Sequence, residues 1–495
     1  MNLDPTPAGD LGVRLTIGPV AANLLAAMTR EARAREEIDA AIPAAESILL
    51  LFREGTDPAS RLRAIHAISG ASAAIAAPRS HLVEVSFAEE DAPDLPRLLR
   101  HAELDRESFL ATVASLSLRV RFLGFRPGFA YLEGVPAAWH LPRLETPRPR
   151  VPAGSFALAG PMAGFYPDES PGGWNLIGRS AAPFWEPARA APNLLGPGDE
   201  VRVLPVARVD RTERRPEIVP ARNGGEVATV VRRATAMAVI PPADPRRLRF
   251  GLPAGGAFDP EAAEAANHNV GNGADAPVLE CALSGPGLRF LAPAALSWCG
   301  GDGHLIIAGE PVREVRRFLV DRGDELEIGL VDPGARGYLA MRGGFAATGG
   351  AALPARLHRG DVLAGAGSAG GAARFRALDR ATPAEIVAIA GPDEIRDEWR
   401  ALLETEVWEV TPRSDRAGVR FTAGRKASGI PASLPSAGMT FGTVQWHPDG
   451  DLVAMGPDHP ITGGYLQPGT IPSYERWKLA QLRPGDRIRW RLVVG

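Results

Sequence analysis

Cysteine and lysine are nearly absent from this 495-residue sequence. The only cysteines are Cys281 and Cys299, which excludes a disulfide framework and a cysteine-based metal centre. We expect both to be buried small hydrophobes rather than a redox pair. The only lysines are Lys426 and Lys478, so almost every positive charge is carried by arginine. Because the net charge is −3 at pH 7, the sequence also lacks the positive field that a nucleic-acid-binding protein needs.

Long apolar runs are also missing. No stretch is long enough to span a bilayer, and the N-terminus lacks the basic-then-apolar pattern of a secretory signal. We therefore expect a cytoplasmic protein without a membrane partner. The 55 glycines and 46 prolines are scattered along the chain, which favours many short strands joined by turns. At this length about three domains are expected, and core size is not limiting.

One pattern occurs twice, once near residue 170 and again near the C-terminus. The first copy contains Gly172-Gly173-Trp174 and then Pro197-Gly198-Asp199, and the second contains Gly463-Gly464-Tyr465 and then Pro484-Gly485-Asp486. Proline presets φ in such a turn, glycine takes a positive φ, and aspartate bonds a nearby amide. An alternating strand follows each turn. The repeat predicts two related halves that finish with the same strand.

Periodicity and composition predict the domain organisation. Alternation predicts strands at 46–52, 81–87 and 116–122, and helical spacing predicts helices at 19–38, 57–69 and 94–110, with Asp105 as an N-cap. A stretch of mixed charge at 207–229 predicts a solvated linker. The predicted units are an N-terminal α/β subdomain at 1–85, a β-barrel at 86–206, the linker at 207–229 and a second half at 230–495.

The first half carries three motifs that are specific enough to name a family. They are Gly-Phe-Arg-Pro-Gly-Phe-Ala-Tyr-Leu at 124–132, Val-Pro-Ala-Gly-Ser at 151–155 and Ser-Pro-Gly-Gly-Trp-Asn-Leu-Ile-Gly-Arg at 170–179. On these motifs, residues 40–206 resemble the B-type subunits of bacterial 5-oxoprolinase, also called the KipI family. The resemblance implies a small N-terminal α/β subdomain followed by a cyclophilin-like barrel.

The second half resembles the partner family, the C-type subunits of 5-oxoprolinase or KipA family. The motifs are Gly-Leu-Pro-Ala-Gly-Gly-Ala-Phe-Asp at 251–259, Pro-Arg-Ser-Asp-Arg at 412–416 and Thr-Gly-Gly-Tyr at 462–465. The same pair of halves, in the opposite order, resembles the carboxyltransferase part of urea carboxylase, the allophanate hydrolase subunit 1/2 family. Together the resemblances imply a mainly β (α+β) fold: two cyclophilin-like barrel halves plus the N-terminal subdomain.

The matched loops carry polar groups suited to an anionic or amide substrate. Arg413 and Arg416 can fork onto a carboxylate or phosphate, with Asp415 as a base or orienting partner. The glycine pairs can form anion-binding nests. The candidate catalytic residues are Asp259, Asp415, Asp458 and His459. The candidate substrate-binding residues are Arg413, Ser414, Arg416, Gln445, Asn267, Glu280, Thr462, Tyr465, Tyr166 and Arg179. The candidate backbone loops contain Gly128, Gly172, Gly173, Gly463 and Gly464, and no metal site is predicted.

Two observations weigh against a fully competent site. Arg413, Asp415 and Arg416 can instead form a buried ion pair that holds a loop. Several polar residues usual in the families are also replaced, while glycines, prolines and closing strands remain; the replacements include Val113, Met162, Ile240, Gly255 and Ala437. This pattern is expected where a fold is kept and its chemistry has changed. For Asp199 and Asp486, a turn explains the residue fully.

The resemblance implies a component of an ATP-dependent 5-oxoprolinase. The fused halves would activate a cyclic amide by phosphorylation, and a separate A-type subunit, LamB/YcsF-like, would hydrolyse it. ATP, with Mg²⁺, is then the expected cofactor, and there is no biotin attachment site. The alternatives are a non-catalytic regulatory or ligand-binding protein, or a carboxyltransferase-type enzyme acting on a urea-like amide; a homo-oligomer is compatible with each. We predict little ATP hydrolysis by the chain alone, and weak binding of a carboxylate or phosphate near Arg413 and Arg416.

Overall fold

The computed structural model describes residues 3–70, 78–210, 225–232, 236–313, 315–346, 357–366, 371, 378, 380 and 382–494. In chain order it forms a four-stranded sheet, a closed seven-stranded barrel, two sheets of six and five strands, and a second closed seven-stranded barrel, with two short two-stranded ribbons. The predicted mainly β fold with two barrel halves is therefore confirmed. None of the helices in these ranges is both long enough and apolar enough to cross a membrane.

The N-terminal unit packs two helices against an antiparallel sheet of order β1-β2-β4-β3. The first helix buries Leu25 and Met28 on one side, as its spacing predicts. The second begins after Asp57, whose carboxylate accepts a hydrogen bond from the Ser60 amide at 3.0 Å. The elements are β1 (Asp4–Pro7), β2 (Gly12–Thr16), α1 (Ala22–Arg33), β3 (Ile38–Pro43), β4 (Ser47–Phe52) and α2 (Pro58–Ser69).

The first barrel has the closed strand order β10-β7-β6-β13-β5-β12-β9. Its last strand inserts between two early ones, parallel to β5 and antiparallel to β6. A ribbon of β8 and β11 lies beside the barrel. The elements are β5 (Ser80–Ser86), α3 (Leu95–Ala102), α4 (Arg106–Ser115), β6 (Leu118–Leu123), β7 (Ala130–Glu133), β8 (Arg148–Val151), β9 (Ser155–Ala159), β10 (Met162–Phe165), β11 (Ser170–Gly172), β12 (Asn175–Arg179) and β13 (Glu200–Val206).

The helical segment predicted at 94–110 is two helices rather than one. Glu103 takes a left-handed conformation with φ of 52° and ends α3. Asp105 then caps α4, because its carboxylate accepts from the Ser108 amide at 2.7 Å. The predicted N-cap is confirmed. The break was not visible in the sequence because a left-handed glutamate carries no signal comparable to glycine.

The middle unit contains two packed sheets with one helix. The six-stranded sheet has the order β20-β19-β22-β17-β14-β24, and the five-stranded sheet has the order β15-β16-β23-β18-β21. The elements are β14 (Glu226–Arg232), β15 (Ala236–Ile240), α5 (Pro260–Asn269), β16 (Val278–Ala282), β17 (Gly287–Phe290), β18 (Ala294–Gly300), β19 (Gly303–Ile307), β20 (Glu310–Pro311), β21 (Phe318–Val320), β22 (Glu325–Val331), β23 (Arg336–Met341) and β24 (Val362–Ala364).

The second barrel repeats the first strand for strand. Its closed order, β30-β27-β26-β33-β25-β32-β29, is the order of the first barrel with each label raised by twenty, and β28 and β31 form the matching ribbon. The prediction of two related halves with the same closing strand is confirmed. The elements are β25 (Glu385–Ala390), α6 (Asp397–Thr405), β26 (Trp408–Val410), β27 (Gly418–Ala423), β28 (Ala437–Gly438), β29 (Thr443–Trp446), β30 (Leu452–Met455), β31 (Thr462–Gly463), β32 (Leu466–Thr470), α7 (Arg476–Ala480) and β33 (Arg487–Val493).

The predicted boundaries need adjustment. Strand β5 belongs to the first barrel, so the predicted boundary at residue 85 falls inside a strand. Strand β14 pairs with β17 and β24, so residues 226–229 of the predicted linker lie in a sheet. Residues 211–224 of that linker lie outside the described residues. The second half at 230–495 also contains two structural units, the sheet pair and the barrel, rather than one.

The N-terminal sheet contacts both barrels. On one side, Arg121 of β6 donates from Nε to the Ala45 carbonyl at 2.6 Å. On the other side, the Ala45 amide donates to the Ser436 carbonyl at 2.9 Å, and Asp10 accepts from the Ser473 amide at 3.1 Å. The N-terminal unit therefore contacts both barrels directly.

Candidate functional site

Strand alternation gives each barrel an inner and an outer side. In the second barrel, Val419, Phe421, Val444, Trp446 and Leu452 belong to the apolar core. The residues between them therefore point outward. They form one row across neighbouring strands, because Arg420 of β27 pairs with Val453 of β30, and Val453 pairs with Gln445 of β29. We call the outer side of β27, β30 and β29 the barrel-2 face.

Thr411 extends this row by one place. It follows β26, its amide donates to the Arg420 carbonyl at 2.8 Å, and its neighbour Val410 lies in the core. Two side-chain atoms of the row are buried without a hydrogen-bond partner among the described residues, the Thr411 hydroxyl and the Gln445 amide nitrogen. Unpaired buried polar atoms are rare in folded proteins and need a reason. Thr411 and Arg420 were not predicted as site residues.

An aromatic pair stands at one rim of the barrel-2 face. The Tyr465 ring lies 4.1 Å from the His447 ring, centroid to centroid, with an interplanar angle of 31°. Burial, with the positive charge of Arg420, lowers the pKa of His447 to about 4, so the imidazole is neutral at pH 7. Tyr465 was predicted from the sequence and His447 was not. The signal was available, since His447 lies two residues after Gln445 and so continues the outer side of β29.

Arg416 is enclosed by carboxylates. It donates to Asp458 with Nε at 2.7 Å and with a terminal nitrogen at 3.0 Å, and to Glu280 at 2.6 Å. Burial lowers the pKa of Arg416, but Glu280 and Asp458 outweigh it and hold that pKa above its ordinary value. For Glu280, burial raises the pKa, and Arg416 and Arg336 outweigh it and lower that pKa. The sequence alternative placed Arg413, Asp415 and Arg416 in one buried ion pair. Only Arg416 is in such a pair, and its partners are Asp458 and Glu280 rather than Asp415.

Asp259 is buried in a second, separate ion pair. Its carboxylate caps α5 by accepting from the Ala262 amide at 3.1 Å, and Arg380 donates to both of its oxygens, at 2.9 and 3.0 Å. Gln481 of the second barrel donates to the same carboxylate at 3.2 Å. Asn267 of α5 donates to the Ala276 carbonyl at 2.7 Å and holds the turn after the helix. Both residues therefore have structural roles that explain their presence.

Neighbouring residues in the loop before β27 have different hydrogen-bond partners and different exposure. Arg413 has 68% of its side chain exposed and donates to Asp451 at 3.3 Å, and Lys426 donates to the other oxygen of Asp451. Asp415 accepts from the Ala417 amide at 2.8 Å, as in a tight turn. Ser414 donates to the Thr411 carbonyl at 2.8 Å, which shapes the loop.

His459 and Thr462 lie where the second barrel meets the rest of the chain. The His459 ring is buried, and its Nδ1 lies 2.8 Å from the Pro460 carbonyl. Burial, assisted by the positive charge of Arg476, lowers the pKa of His459 to about 4. The Thr462 hydroxyl is buried without a hydrogen-bond partner among the described residues. It contacts Gly124 of the first barrel so closely that no Cβ would fit there.

The glycine pairs lie against different surfaces. Gly172 packs on the Tyr166 ring, with no space for a Cβ. Gly463 covers the Gln445 side chain, where a Cβ would come within 2.5 Å of the amide nitrogen. A Cβ added at the neighbouring Gly464 would come within 2.8 Å of the Leu434 carbonyl oxygen, whereas a Cβ added at Gly173 would lie 3.7 Å or more from its nearest neighbours.

The remaining candidates in the first barrel support its structure. Gly128 has a φ of 82°, and Arg179 donates from Nε to the Ala153 carbonyl at 2.9 Å. Tyr166 belongs to an aromatic cluster, and burial raises its pKa to about 12. Phe125 contacts Tyr166 at 6.1 Å between centroids, and Gly124 contacts Thr462, so one turn touches both barrels.

The structure therefore brings some predicted residues together and separates others. Arg416, Asp458 and Glu280 converge, and Gln445 lies under Gly463 close to Tyr465. Arg413 and Asp259 contact neither group directly, because Arg413 pairs with Asp451 and Asp259 pairs with Arg380. The polar groups that the sequence suggested for one anionic or amide substrate are thus divided among separate ion pairs. Cys281 and Cys299 are free and buried, as expected, and burial raises the pKa of Cys299 to about 11.

No cluster suited to a metal ion occurs in the part of the chain that the structure describes, taking three or more histidine, cysteine, aspartate or glutamate side chains as the requirement. Metal-ligand sets of that size are what a structural or catalytic zinc site uses. The polar groups of the barrel-2 face are instead an arginine, an amide and a hydroxyl, which are hydrogen-bond donors to an organic anion.

Comparison with known families identifies the two halves. Residues 7–195 match the carboxyltransferase domain, subdomains C and D, and residues 250–492 match the carboxyltransferase domain, subdomains A and B. The chain belongs to the carboxyltransferase-domain family, with both pairs of subdomains in one polypeptide. The resemblance inferred from the motifs is confirmed.

Individual relatives carry the names of two different 5-oxoprolinase subunits, B and C. The chain is 42% identical to the B-type 5-oxoprolinase subunit of Escherichia coli O157:H7 over 130 residues, which are 26% of this chain and 60% of that protein. It is 29% identical to the C-type 5-oxoprolinase subunit of Haemophilus influenzae over 263 residues, 50% of this chain and 84% of that protein. A putative urea carboxylase of Emericella nidulans is 30% identical over 269 residues, 48% of this chain and 22% of that protein.

A solved structure matches nearly the whole chain. The crystal structure of TTHA0988 superposes with a TM-score of 0.85 at 31% identity, covering 97% of this chain and 99% of that one. By contrast, the matched regions span only 60% and 53% of the B-type subunits of Escherichia coli and Bacillus subtilis. The arrangement of both halves in one chain is therefore shared with a protein of similar length, whereas the B-type subunits are matched over only part of their length.

Proposed function

We propose that this protein is a fused B-type and C-type component of an ATP-dependent 5-oxoprolinase, and that it binds a small cyclic amide on the barrel-2 face. The observation that carries the proposal is the presence of both halves in one chain, at 7–195 and 250–492, among relatives named for the B and C subunits of 5-oxoprolinase. Those names belong to components of one multi-subunit enzyme, so an A-type subunit of the LamB/YcsF class is the proposed partner.

The barrel-2 face suits a ligand with hydrogen-bond acceptors. Its row offers an arginine, a hydroxyl and an amide nitrogen, and the Tyr465–His447 pair supplies a flat wall. A five-membered lactam that carries a carboxylate presents acceptors on one edge and an apolar ring face. The polar groups of the row would hold and orient such a ring. The Tyr465–His447 pair would shield the hydrogen bonds from water and so strengthen them.

The cations named from the sequence do not fit a nucleotide triphosphate. Arg416 donates to two carboxylates and to the Gly256 carbonyl, and Arg413 and Lys426 share Asp451. A triphosphate with Mg²⁺ needs several uncommitted positive charges or backbone amides at close range. We therefore derive no step through ATP on this face, and ATP remains a requirement of the proposed reaction class.

Turnover with a partner protein tests the proposal. We expect the chain alone to release little ADP with 5-oxoproline and ATP, and the chain with a LamB/YcsF-like partner to form ADP and glutamate together. The neutral lactam 2-pyrrolidinone serves as the matched control without a carboxylate. Binding of 5-oxoproline without turnover under any condition would support the regulatory alternative instead.

A second function has its own support. The family match is to a carboxyltransferase domain, and one relative is named a putative urea carboxylase. A carboxyltransferase acting on a urea-like amide would require a carboxylated biotin carrier supplied by another protein. Carboxylation of urea in the presence of such a carrier, with no response to 5-oxoproline, would favour this function over the first.

A further inference from the structure

We propose that Arg420 anchors the carboxylate of a small-molecule ligand on the barrel-2 face, beside the wall formed by Tyr465 and His447. The proposal deepens the proposed function by naming the ligand-anchoring group, and it rests on that function only for the identity of the ligand. Arg420 is half-buried at the centre of the row that runs from Thr411 to Gln445.

The first argument is that the guanidinium of Arg420 is uncommitted. Among the described residues no side chain or carbonyl accepts a hydrogen bond from it, and only its backbone amide is used, donating to the Ser414 hydroxyl at 3.0 Å. The neighbouring cations differ. Arg413 and Lys426 donate to Asp451, and Arg416 donates to Asp458 and Glu280.

The second argument concerns the charge near Arg420. Asp451 lies close enough for its pKa to be lowered by the Arg420 charge, but both of its oxygens already accept from Lys426 and Arg413. His447, the other titratable neighbour, is neutral at pH 7 because burial and Arg420 lower its pKa to about 4. The positive charge of Arg420 is therefore not matched by a carboxylate of its own.

The third argument is the pair of unpaired donors in the same row. Thr411 is the neighbour of Arg420 on one side of the row. On the other side, Gln445 follows Val453, the second neighbour of Arg420. Each is buried with no hydrogen-bond partner among the described residues. A fold keeps such atoms where another molecule completes their hydrogen bonds, since a buried donor left alone is destabilising.

The geometry favours a carboxylate over a phosphate. One guanidinium fork matches the two oxygens of a carboxylate with two parallel hydrogen bonds. A phosphate usually recruits more than one free cation or a nest of backbone amides, and the nearby cations are already paired. The Tyr465–His447 wall, with its rings 4.1 Å apart, then faces the ring or chain that carries the carboxylate.

The equivalent place in the first barrel shows that the fold does not require an arginine. Tyr131 pairs with Phe122 on one side and with Gly164 on the other, as Arg420 pairs with Thr411 and Val453. Tyr131 stacks on Phe122 at 4.2 Å and closes that face with aromatic rings. Arg420 is thus a departure from an aromatic, packed surface toward a half-buried, charged one.

Calorimetric titration of the full chain tests the proposal. The probes are 5-oxoproline, 2-pyrrolidinone and glutarate, and the variants are Arg420→Leu, Arg420→Lys and Thr411→Val. We expect 5-oxoproline to bind and 2-pyrrolidinone not to bind. Arg420→Leu should weaken binding by at least about tenfold, the usual effect of removing a charged hydrogen bond. Arg420→Lys should recover part of the loss, and Thr411→Val should weaken binding less.

Arg491→Leu is the matched control, since Arg491 is an exposed arginine of the same barrel that lies on β33, outside the row, and pairs with Glu385. Equal binding by Arg420→Leu and the wild type, or no binding of any carboxylate to the wild type, overturns the proposal. If glutarate binds, 5-oxoproline does not, and Arg420→Leu weakens glutarate binding, then Arg420 is a carboxylate anchor and the proposed 5-oxoprolinase function is wrong. The two failures are therefore distinguishable.

Discussion

Two equivalent rows of side chains, one on each barrel, show how the same architecture serves two purposes. In the first barrel the row across four neighbouring strands is Phe122, Tyr131, Gly164 and Ala157, and in the second it is Thr411, Arg420, Val453 and Gln445. The strand pairs correspond at each place, although β6 reaches Phe122 across a register shift after Val120 and the pairing of β26 has no such shift. We call the outer side of β7, β10 and β9 the barrel-1 face, by analogy with the barrel-2 face.

The barrel-1 face is filled from within the chain. Phe129, Tyr166 and Trp174 join Tyr131 in one cluster of aromatic rings, with centroid distances of 5.0 to 5.7 Å. The burial of such rings contributes to stability. The barrel-2 face keeps polar donors instead. The difference supports the proposal that a ligand is bound by the second barrel rather than by the first.

The largest expected difference in stability between the barrels concerns the aromatic residues that follow the two glycine pairs, Trp174 and Tyr465. Trp174→Ala should lower the free energy of unfolding by about 3–5 kcal/mol, because the ring is buried against Phe129 and Tyr131. Tyr465→Ala, the matched change in the second barrel, should cost no more than about 1.5 kcal/mol, because Tyr465 is half-buried on His447. Urea titration measures both, and equal losses would break the comparison.

The arginines of the loop before β27 sharpen the comparison within the second barrel. Arg416→Leu should lower the free energy of unfolding by about 3–5 kcal/mol, since it leaves Glu280 and Asp458 as uncompensated buried charges. Arg413→Leu, three residues away, should cost less than about 1 kcal/mol, because the Arg413 side chain is 68% exposed and Lys426 still pairs with the buried Asp451. Thermal and urea unfolding of both variants provides the measurement. A small loss for Arg416→Leu would mean that the ion pair is replaceable and that Arg416 is retained for binding.

The second barrel should also contain a residue, His459, that makes the folded protein less stable at low pH. Burial lowers the pKa of His459 to about 4, whereas an unfolded histidine titrates near 6.5. Between these values the unfolded chain binds a proton that the folded chain does not, so stability falls as the pH drops from about 6.5 to about 4. The full loss from this residue is about 3 kcal/mol.

His459→Asn removes this contribution and should flatten the fall in urea midpoint between pH 7 and pH 4.5. His447 also has a pKa lowered to about 4, so part of the slope should remain in the single variant. The same slope in the wild type and in His459→Asn would show that His459 is protonated in the folded state, contrary to its burial. Circular dichroism at each pH separates unfolding from a local change.

The sequence was sufficient for features that are encoded locally. The repeated Pro-Gly-Asp turn predicted the shared closing strand, and the observed strand orders are the same. The helix cap at Asp105 followed from a short polar residue before a helical run. The break at Glu103 and the pairing of β14 did not follow, because one depends on a left-handed glutamate and the other on strands more than 50 residues away.

The candidate site depended on long-range pairing, and for that reason it was predicted only in part. Gln445 and Tyr465 were found because they lie in short motifs. Arg420 was missed, since its importance comes from its register with Val453 and Gln445 on other strands. The role of Arg416 was open until Glu280, 136 residues away, was found beside it. No local pattern distinguishes an arginine that binds a ligand from one that binds its own protein.

The smallest expected effect concerns the two Pro-Gly-Asp turns. Both aspartates accept from the amide three residues earlier, Asp199 from Gly196 at 2.8 Å and Asp486 from Arg483 at 2.7 Å. Asp199 has two further partners, since Arg79 donates to it at 2.5 Å and His81 lies 3.1 Å from it. Replacement by alanine should therefore cost about 1 kcal/mol at Asp486 and about 2 kcal/mol at Asp199.

Asparagine separates the turn from the ion pair, because its side-chain oxygen still accepts from the backbone amide. Asp486→Asn should be nearly neutral, whereas Asp199→Asn should keep the turn and lose the charge that holds Arg79 and His81. Urea unfolding at pH 7 in low and high salt measures the difference, since salt screens the exposed Arg79 side of the pair. If both asparagine variants were equally neutral, the turn alone would explain Asp199, and the two barrels would close their last strands by the same means.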